Sequence, residues 1–272
     1  MTITDLLHWA SVGHLTSGRP TAARETGQDG LRTDPDHPGL NEVVGLAEHD
    51  LEEYARAIHY LETAARHGLL GVTGELTLAD CYLRFGLVRA AAAVYDRLAN
   101  PGQCPTPHLP ALAKGLGRVG RYAAAQNVCD RLARLRPDYH PAWYGAAVYR
   151  LMLGRPLADV LPALERAHRL APHALPYRLT LAAALTDVGR AADAYPLVRN
   201  LSAEDVACGG LCRRLLAVFA HAGDAAQLDA YQARADRLAP QSPSRAAGHG
   251  NRLADPRRLP RPAGHGNRPA HE

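Results

Sequence analysis

Stepping by 34 residues in both directions from Gly120, the chain returns glycine at nearly every mark. Backward come Gly86, then Glu52, then Gly18; forward come Gly154, Gly189 after a step of 35, and Gly223. Six of seven marks are glycine, in a chain of 272 residues with 24 glycines, where chance supplies fewer than one. A fixed period of about 20 to 50 residues means that one supersecondary unit is copied along the chain.

Other positions keep the same period. Seven residues before each mark stand Ser11, Gly45, Ala79, Ala113, Ala147, Ala182 and Leu216, nearly all small. Five residues after stand Ala23, Ala57, Ala91, Ala125, Asp159, Ala194 and Leu228; with one residue inserted in the turn of the fifth unit, Val160 takes the place of Asp159. Pro35, Pro137, Pro172 and Pro240 recur near the seventeenth residue after a mark. Between marks the apolar residues follow helical spacing, with Leu109, Leu112, Ala113 and Leu116 on one stripe and Tyr122, Ala125, Cys129 and Leu132 on another. Each unit is therefore expected to be two antiparallel helices. The glycine turns the chain between them, the small residues let them approach, and the proline stops the second.

These residues resemble the tetratricopeptide repeat over roughly residues 4 to 240. Trp143 matches the large fourth position, Tyr82 and Phe219 the aromatic eleventh, Tyr95 the twenty-fourth, and Ala64, Ala167 and Ala235 the small twenty-seventh. The resemblance implies an all-α, right-handed solenoid superhelix of about seven antiparallel helix pairs. Its units run roughly 4–37, 38–71, 72–105, 106–139, 140–174, 175–208 and 209–240. Departures are Glu52 at a turn glycine, the large Leu98, Leu132 and Leu201 at small positions, and Pro162 and Pro196 inside second helices, where looser or kinked units are expected.

Composition agrees with helices packed through small aliphatic side chains: 47% of residues are hydrophobic and 6% aromatic. Lys114 is the sole lysine. Five cysteines in irregular positions form no disulfide framework, which fits a reducing compartment. The start, MTITDLLHWASVGH, has no basic n-region or continuous apolar run, and no stretch of about 18 apolar residues occurs. A soluble cytoplasmic protein with no membrane partner is expected.

One stretch invites a different reading. GLGRVG at residues 115 to 120 fits the G-x-G-x-x-G of a dinucleotide loop, and Asp138 stands near the right distance downstream. Yet the preceding HLPALAK is no buried strand, and DRLARLRPD holds no second one, so the glycines belong to a helix end and its turn. Cys208 and Cys212 in CGGLC have the wrong spacing for a metal knuckle. The fourteen histidines form no catalytic motif, Cys81 and Cys129 fall on packing faces, and the pairs Glu48 with Asp50 and Glu52 with Glu53 read as solvated carboxylates at a helix end. No catalytic residue, cofactor or metal site is expected.

The last stretch, 241–272, is rich in Pro, Gly, Arg and His and repeats GHGNR at 248–252 and 264–268; it reads as a disordered basic tail. Residues 240 to 272 carry the whole net charge of +4, so the body is neutral. Nucleic acid is not an expected partner of the body, and the tail is where it remains open.

The function expected of such a solenoid is binding: a scaffold or adaptor that takes a partner peptide or protein in its concave groove. The resemblance points the second, fifth, sixth, ninth, twelfth and thirteenth positions of each unit into that groove. These include His8, Glu42, Asp80, Arg84, Lys114, Arg118, Tyr144, Arg213, Arg214 and His221. Their cationic middle suits an acidic, carboxylate-bearing peptide with an apolar anchor. The carboxylate clamp of chaperone-binding members is missing, its positions holding His8, Val12, Val43, Thr73 and Thr77. The alternatives are an RNA-binding helical-repeat protein, opposed by the neutral body and the period of 34, and the regulatory subunit of an enzyme complex.

Overall fold

The computed structural model describes residues 2–68 and 70–239. The tail expected over 241–272 lies outside the described residues. Among these, fourteen α-helices and two short 3-10 turns occur and no strand. The helices are α1 (Ile3–Thr16), α2 (Pro20–Leu31), α3 (Pro38–Asp50), α4 (Tyr54–His67), α5 (Val72–Arg84), α6 (Val88–Ala99) and α7 (Leu109–Arg118). They continue with α8 (Tyr122–Leu135), α9 (His140–Met152), α10 (Leu157–Leu170), α11 (Leu175–Asp187), α12 (Ala191–Val198), α13 (Gly209–Ala222) and α14 (Ala225–Arg237). Each odd helix packs on the even helix that follows, each even helix packs on the next pair, and successive odd helices also touch: the contact pattern of a solenoid.

All seven turns inside a pair are built alike. The residue on each periodic mark adopts the left-handed conformation, with φ from 66° to 78° at the six glycines and 62° at Glu52. The amide after each mark then reaches back five residues to a carbonyl of the first helix, as from Arg121 to Leu116 at 2.8 Å and from Glu53 to Glu48 at 2.8 Å. Gly120 needs no β-carbon here. Glu52 takes the same conformation against the cost of one.

The small residues sit where the two helices of a pair meet. The Ser11 hydroxyl donates to the Ala23 carbonyl at 2.6 Å, joining the position seven before a mark to the position five after it. At the equivalent places Ala79, Ala113, Ala147 and Ala182 face Ala91, Ala125, Val160 and Ala194, all buried. The inserted residue of the fifth unit is real: α10 begins three residues after Gly154 instead of two, and Val160, not Asp159, is buried. Larger apolar residues complete two clusters, one centred on α5 to α9 and one on α9 to α14, which meet at Trp143. Leu98 and Leu132 are buried despite their size.

Three expectations need correction. Leu201 is no helix position: α12 ends at Val198, two residues after Pro196, and Leu201 is buried in the connection that follows. Pro162, by contrast, is absorbed within a continuous α10, although, at the same distance from its helix start as Pro196, it removes the amide that would bond the Ala158 carbonyl. Glu48 is not a solvated carboxylate, for its side chain has 0% exposure, with Arg24 at 4.0 Å and Arg56 at 3.8 Å.

The glycines of GLGRVG are explained by packing. Gly115 and Gly117 lie in α7, and a β-carbon at either would strike the ring of Tyr95 or of Tyr149. The Tyr149 hydroxyl uses that space to donate to the Ala113 carbonyl at 2.9 Å.

Candidate functional site

The period of 34 places Asp80 and Lys114, and likewise Arg84 and Arg118, at equivalent positions of successive first helices. Within each helix the members are four residues apart and so share one face. Between α5 and α7 these faces enclose a cleft of about 560 Å³, lined by Asp80, Arg84, Lys114 and Arg118 together with His49, Leu76, Thr77 and Tyr95.

Asp80 is the hub. Its carboxylate accepts from the Arg118 guanidinium, Arg84 Nε lies 3.5 Å away and His49 Nε2 3.6 Å away. Burial pushes the Asp80 carboxyl up, but Arg118, His49 and Arg84 together outweigh it and hold the group below the usual carboxylate range. The Arg84 guanidinium also stands over the Tyr54 ring, 4.8 Å from its centre. Lys114 is exposed and has no carboxylate partner among the described residues. Three fixed cations therefore face one carboxylate, which leaves the cleft net positive. Its apolar side is Leu76 and the Tyr95 ring seated against Gly115; burial and Asp80 push the Tyr95 hydroxyl up to about 12, so it stays neutral.

The other expected groove residues are elsewhere. Tyr144, on α9, shares a hydrogen bond with Thr180 at 3.1 Å and packs on Tyr177 with ring centres 4.4 Å apart. The Tyr177 hydroxyl in turn meets His140 Nδ1 at 2.8 Å, so this is a separate aromatic cluster over α9 and α11. Arg213 and Arg214 are exposed on α13, and Arg214 is paired with Asp187 of α11. Glu42 serves the fold: its Oε1 accepts from the Gly71 amide at 3.1 Å, at the start of α5. Burial raises the Glu42 carboxyl, and the Gly71 and Gly74 amides oppose that shift. His8 packs beside the His37 ring, 5.6 Å between centres.

His49, Thr77, Leu76 and Tyr95 complete the cleft, though none of them was expected among its cationic groove residues. His49 and Thr77 occupy the twelfth and sixth positions of their units, so the positional signal was present. Tyr95 comes from a second helix, and only the gap at Gly115 brings it to the cleft floor.

Burial pushes the Cys81 and Cys129 thiols up to about 12, which leaves them protonated packing groups. Cys208 is exposed and Cys212 buried, and no group of three or more His, Cys, Asp or Glu among the described residues is arranged to hold a metal ion. No described helix is long and apolar enough to cross a membrane.

Against solved structures, the chain matches other helical-repeat proteins. A tetratricopeptide repeat protein from Parabacteroides merdae aligns over 88% of this chain and 94% of its own, with 14% identity and a TM-score of 0.57. PilW, a type IV pilus biogenesis factor, aligns over 75% and 94% with 17% identity and a TM-score of 0.57. YrrB, a TPR protein with an unusual peptide-binding site, aligns over 61% and 86% with 16% identity and a TM-score of 0.53. No protein-family profile and no curated protein sequence matches the chain. At these identities the likeness concerns the fold, and the fold is that of a tetratricopeptide-repeat solenoid.

Proposed function

We propose that the protein is a non-catalytic interaction scaffold, which holds an acidic, extended segment of a partner protein in the cleft between α5 and α7. The observation that carries this reading is the charge imbalance there: Arg84 and Arg118 share the single carboxylate of Asp80, and Lys114 is left over. An incoming carboxylate takes the free donors of the two guanidinium groups, while Lys114 adds a point charge. Leu76 and the aromatic cluster at Tyr144 offer apolar anchors along the same first-helix surface. Arg213 and Arg214 extend the cationic surface on α13. The description of YrrB as having a peptide-binding site supports a solenoid of this kind working by peptide capture. Five free thiols fit a reducing compartment, and the reading places the protein in the cytoplasm.

The test is binding of fluorescently labelled peptides rich in Asp and Glu, read by anisotropy. Lys114→Glu is the cleanest probe because the Lys114 side chain makes no ion pair among the described residues. Lys114→Glu and Arg84→Glu should each weaken binding at least tenfold, with helicity unchanged in both and the melting temperature unchanged in Lys114→Glu. Equal affinity in the parent and both variants refutes the site.

A further inference from the structure

The outer face of α1 is apolar where nothing described covers it. Ile3, Leu6 and Trp9 are 68%, 51% and 66% exposed, and Ala10 and Gly13 are exposed beside them. The buried side of the same helix, with Thr4 and Ser11, is already taken by α2 and α3. Terminal helices of solenoids ordinarily turn a polar face outward. Helix α14, at the other end, does so with Asp229, Gln232, Asp236 and Arg237 exposed.

We propose that this face of α1 is the contact between two copies of the chain, paired antiparallel about a two-fold axis that passes beside residue 8. Ile3, Leu6, Ala10 and Gly13 follow the alternating three- and four-residue spacing of a helix-pairing seam. Under that axis, residues whose numbers sum to 16 lie opposite each other. Ile3 then faces the copy's Gly13, and Leu6 faces its Ala10. Each large side chain meets a small one, and the space beyond Gly13 is open, since a β-carbon there would touch nothing within 4 Å.

Charge agrees with self-pairing. An isologous contact makes every cross-axis pairing twice, so a single charge set against an apolar residue would be buried unpaired twice, and the seam carries none. The only carboxylate on α1, Asp5, is held in a capping box with Thr2 and lies off the seam. Antiparallel pairing also opposes the two helix dipoles favourably. Head-to-tail stacking would instead press the apolar face of α1 onto the charged face of α14. In area, the three large side chains expose on the order of 350 Å² per copy, so pairing with their surroundings covers about 1,000 Å² in total, the low end of specific interfaces. A micromolar dimer is expected.

Sedimentation equilibrium of the full chain between about 1 and 100 µM tests this. The parent should pass from 29.2 kDa towards twice that mass. Leu6→Glu and, separately, Ile3→Lys should remain at the single-chain mass with unchanged helicity. Leu6→Glu/Ala10→Lys should recover the dimer, because residue 6 lies opposite residue 10 of the copy. A parent that stays at the single-chain mass throughout, or variants that dimerise as the parent does, would overturn the proposal. A double variant that stays single overturns the pairing register it states.

Discussion

Glu52 holds φ at 62° in the turn between α3 and α4, where the other six turns have glycine. A β-carbon in that conformation costs about 1 kcal/mol. Glu52→Gly should therefore stabilise the protein by about 1 kcal/mol in urea unfolding, less the extra freedom glycine gives the unfolded chain. No gain, or a loss, would mean that the Glu52 side chain supports the turn. Its neighbour Glu48 carries the opposite kind of tension, a fully buried carboxylate with no hydrogen-bond partner. Burial, acting against the attraction of Arg24 and then Arg56, raises the Glu48 carboxyl above its ordinary range. The unfolded chain keeps an ordinary value, about 4.3. Protonated Glu48 thus favours the fold below that value, and the benefit is lost as pH rises through the higher folded value. Glu48→Gln should raise the melting temperature at pH 7, and the gain should shrink towards zero near pH 4. A pH-independent difference would contradict this account.

At the scale of the helix pair, the contact between first and second helices is set by side-chain size. Ala125 is fully buried against α7, five residues past the mark that sets its register. Ala125→Phe should cost about 1–3 kcal/mol through overpacking, measured as a shift of the urea midpoint. An unshifted midpoint would place Ala125 outside that contact. This register was legible in the sequence because small residues and turn glycines answer to local geometry that every unit shares. The course of α12 was less so. Pro196 announces a defect there, but whether a proline is absorbed, as Pro162 is in α10, or followed by an early helix end depends on what the next segment packs against. Beyond α12 the chain buries Leu201, Ala203 and Val206 in the cluster built on α13 and α14.

At the scale of the whole molecule, each unit touches only its neighbours, so a defect should stay local. Leu164→Ala removes a fully buried side chain from the cluster of α9 to α14. It should raise amide hydrogen exchange in α9 to α13 while α1 to α4 keep their parent rates. Uniform acceleration would indicate one cooperative core.

Residue pattern alone is enough to set the number of helix pairs, the seven turns, the inserted residue before α10 and the face on which Asp80, Arg84, Lys114 and Arg118 stand. Each of these follows from backbone conformation or helical spacing, which a chain expresses within a few dozen residues. Which of those charges pair with one another is set only by the packing of one unit on the next. Arg118 reaches Asp80 across 38 residues and Arg214 reaches Asp187 across 27, whereas Lys114 finds no partner among the described residues. The same packing also sets Glu48 in the interior and leaves the outer side of α1 uncovered by any described residue. Such outcomes depend on how one unit is rotated against the next, and a period fixes the spacing of units without fixing that rotation.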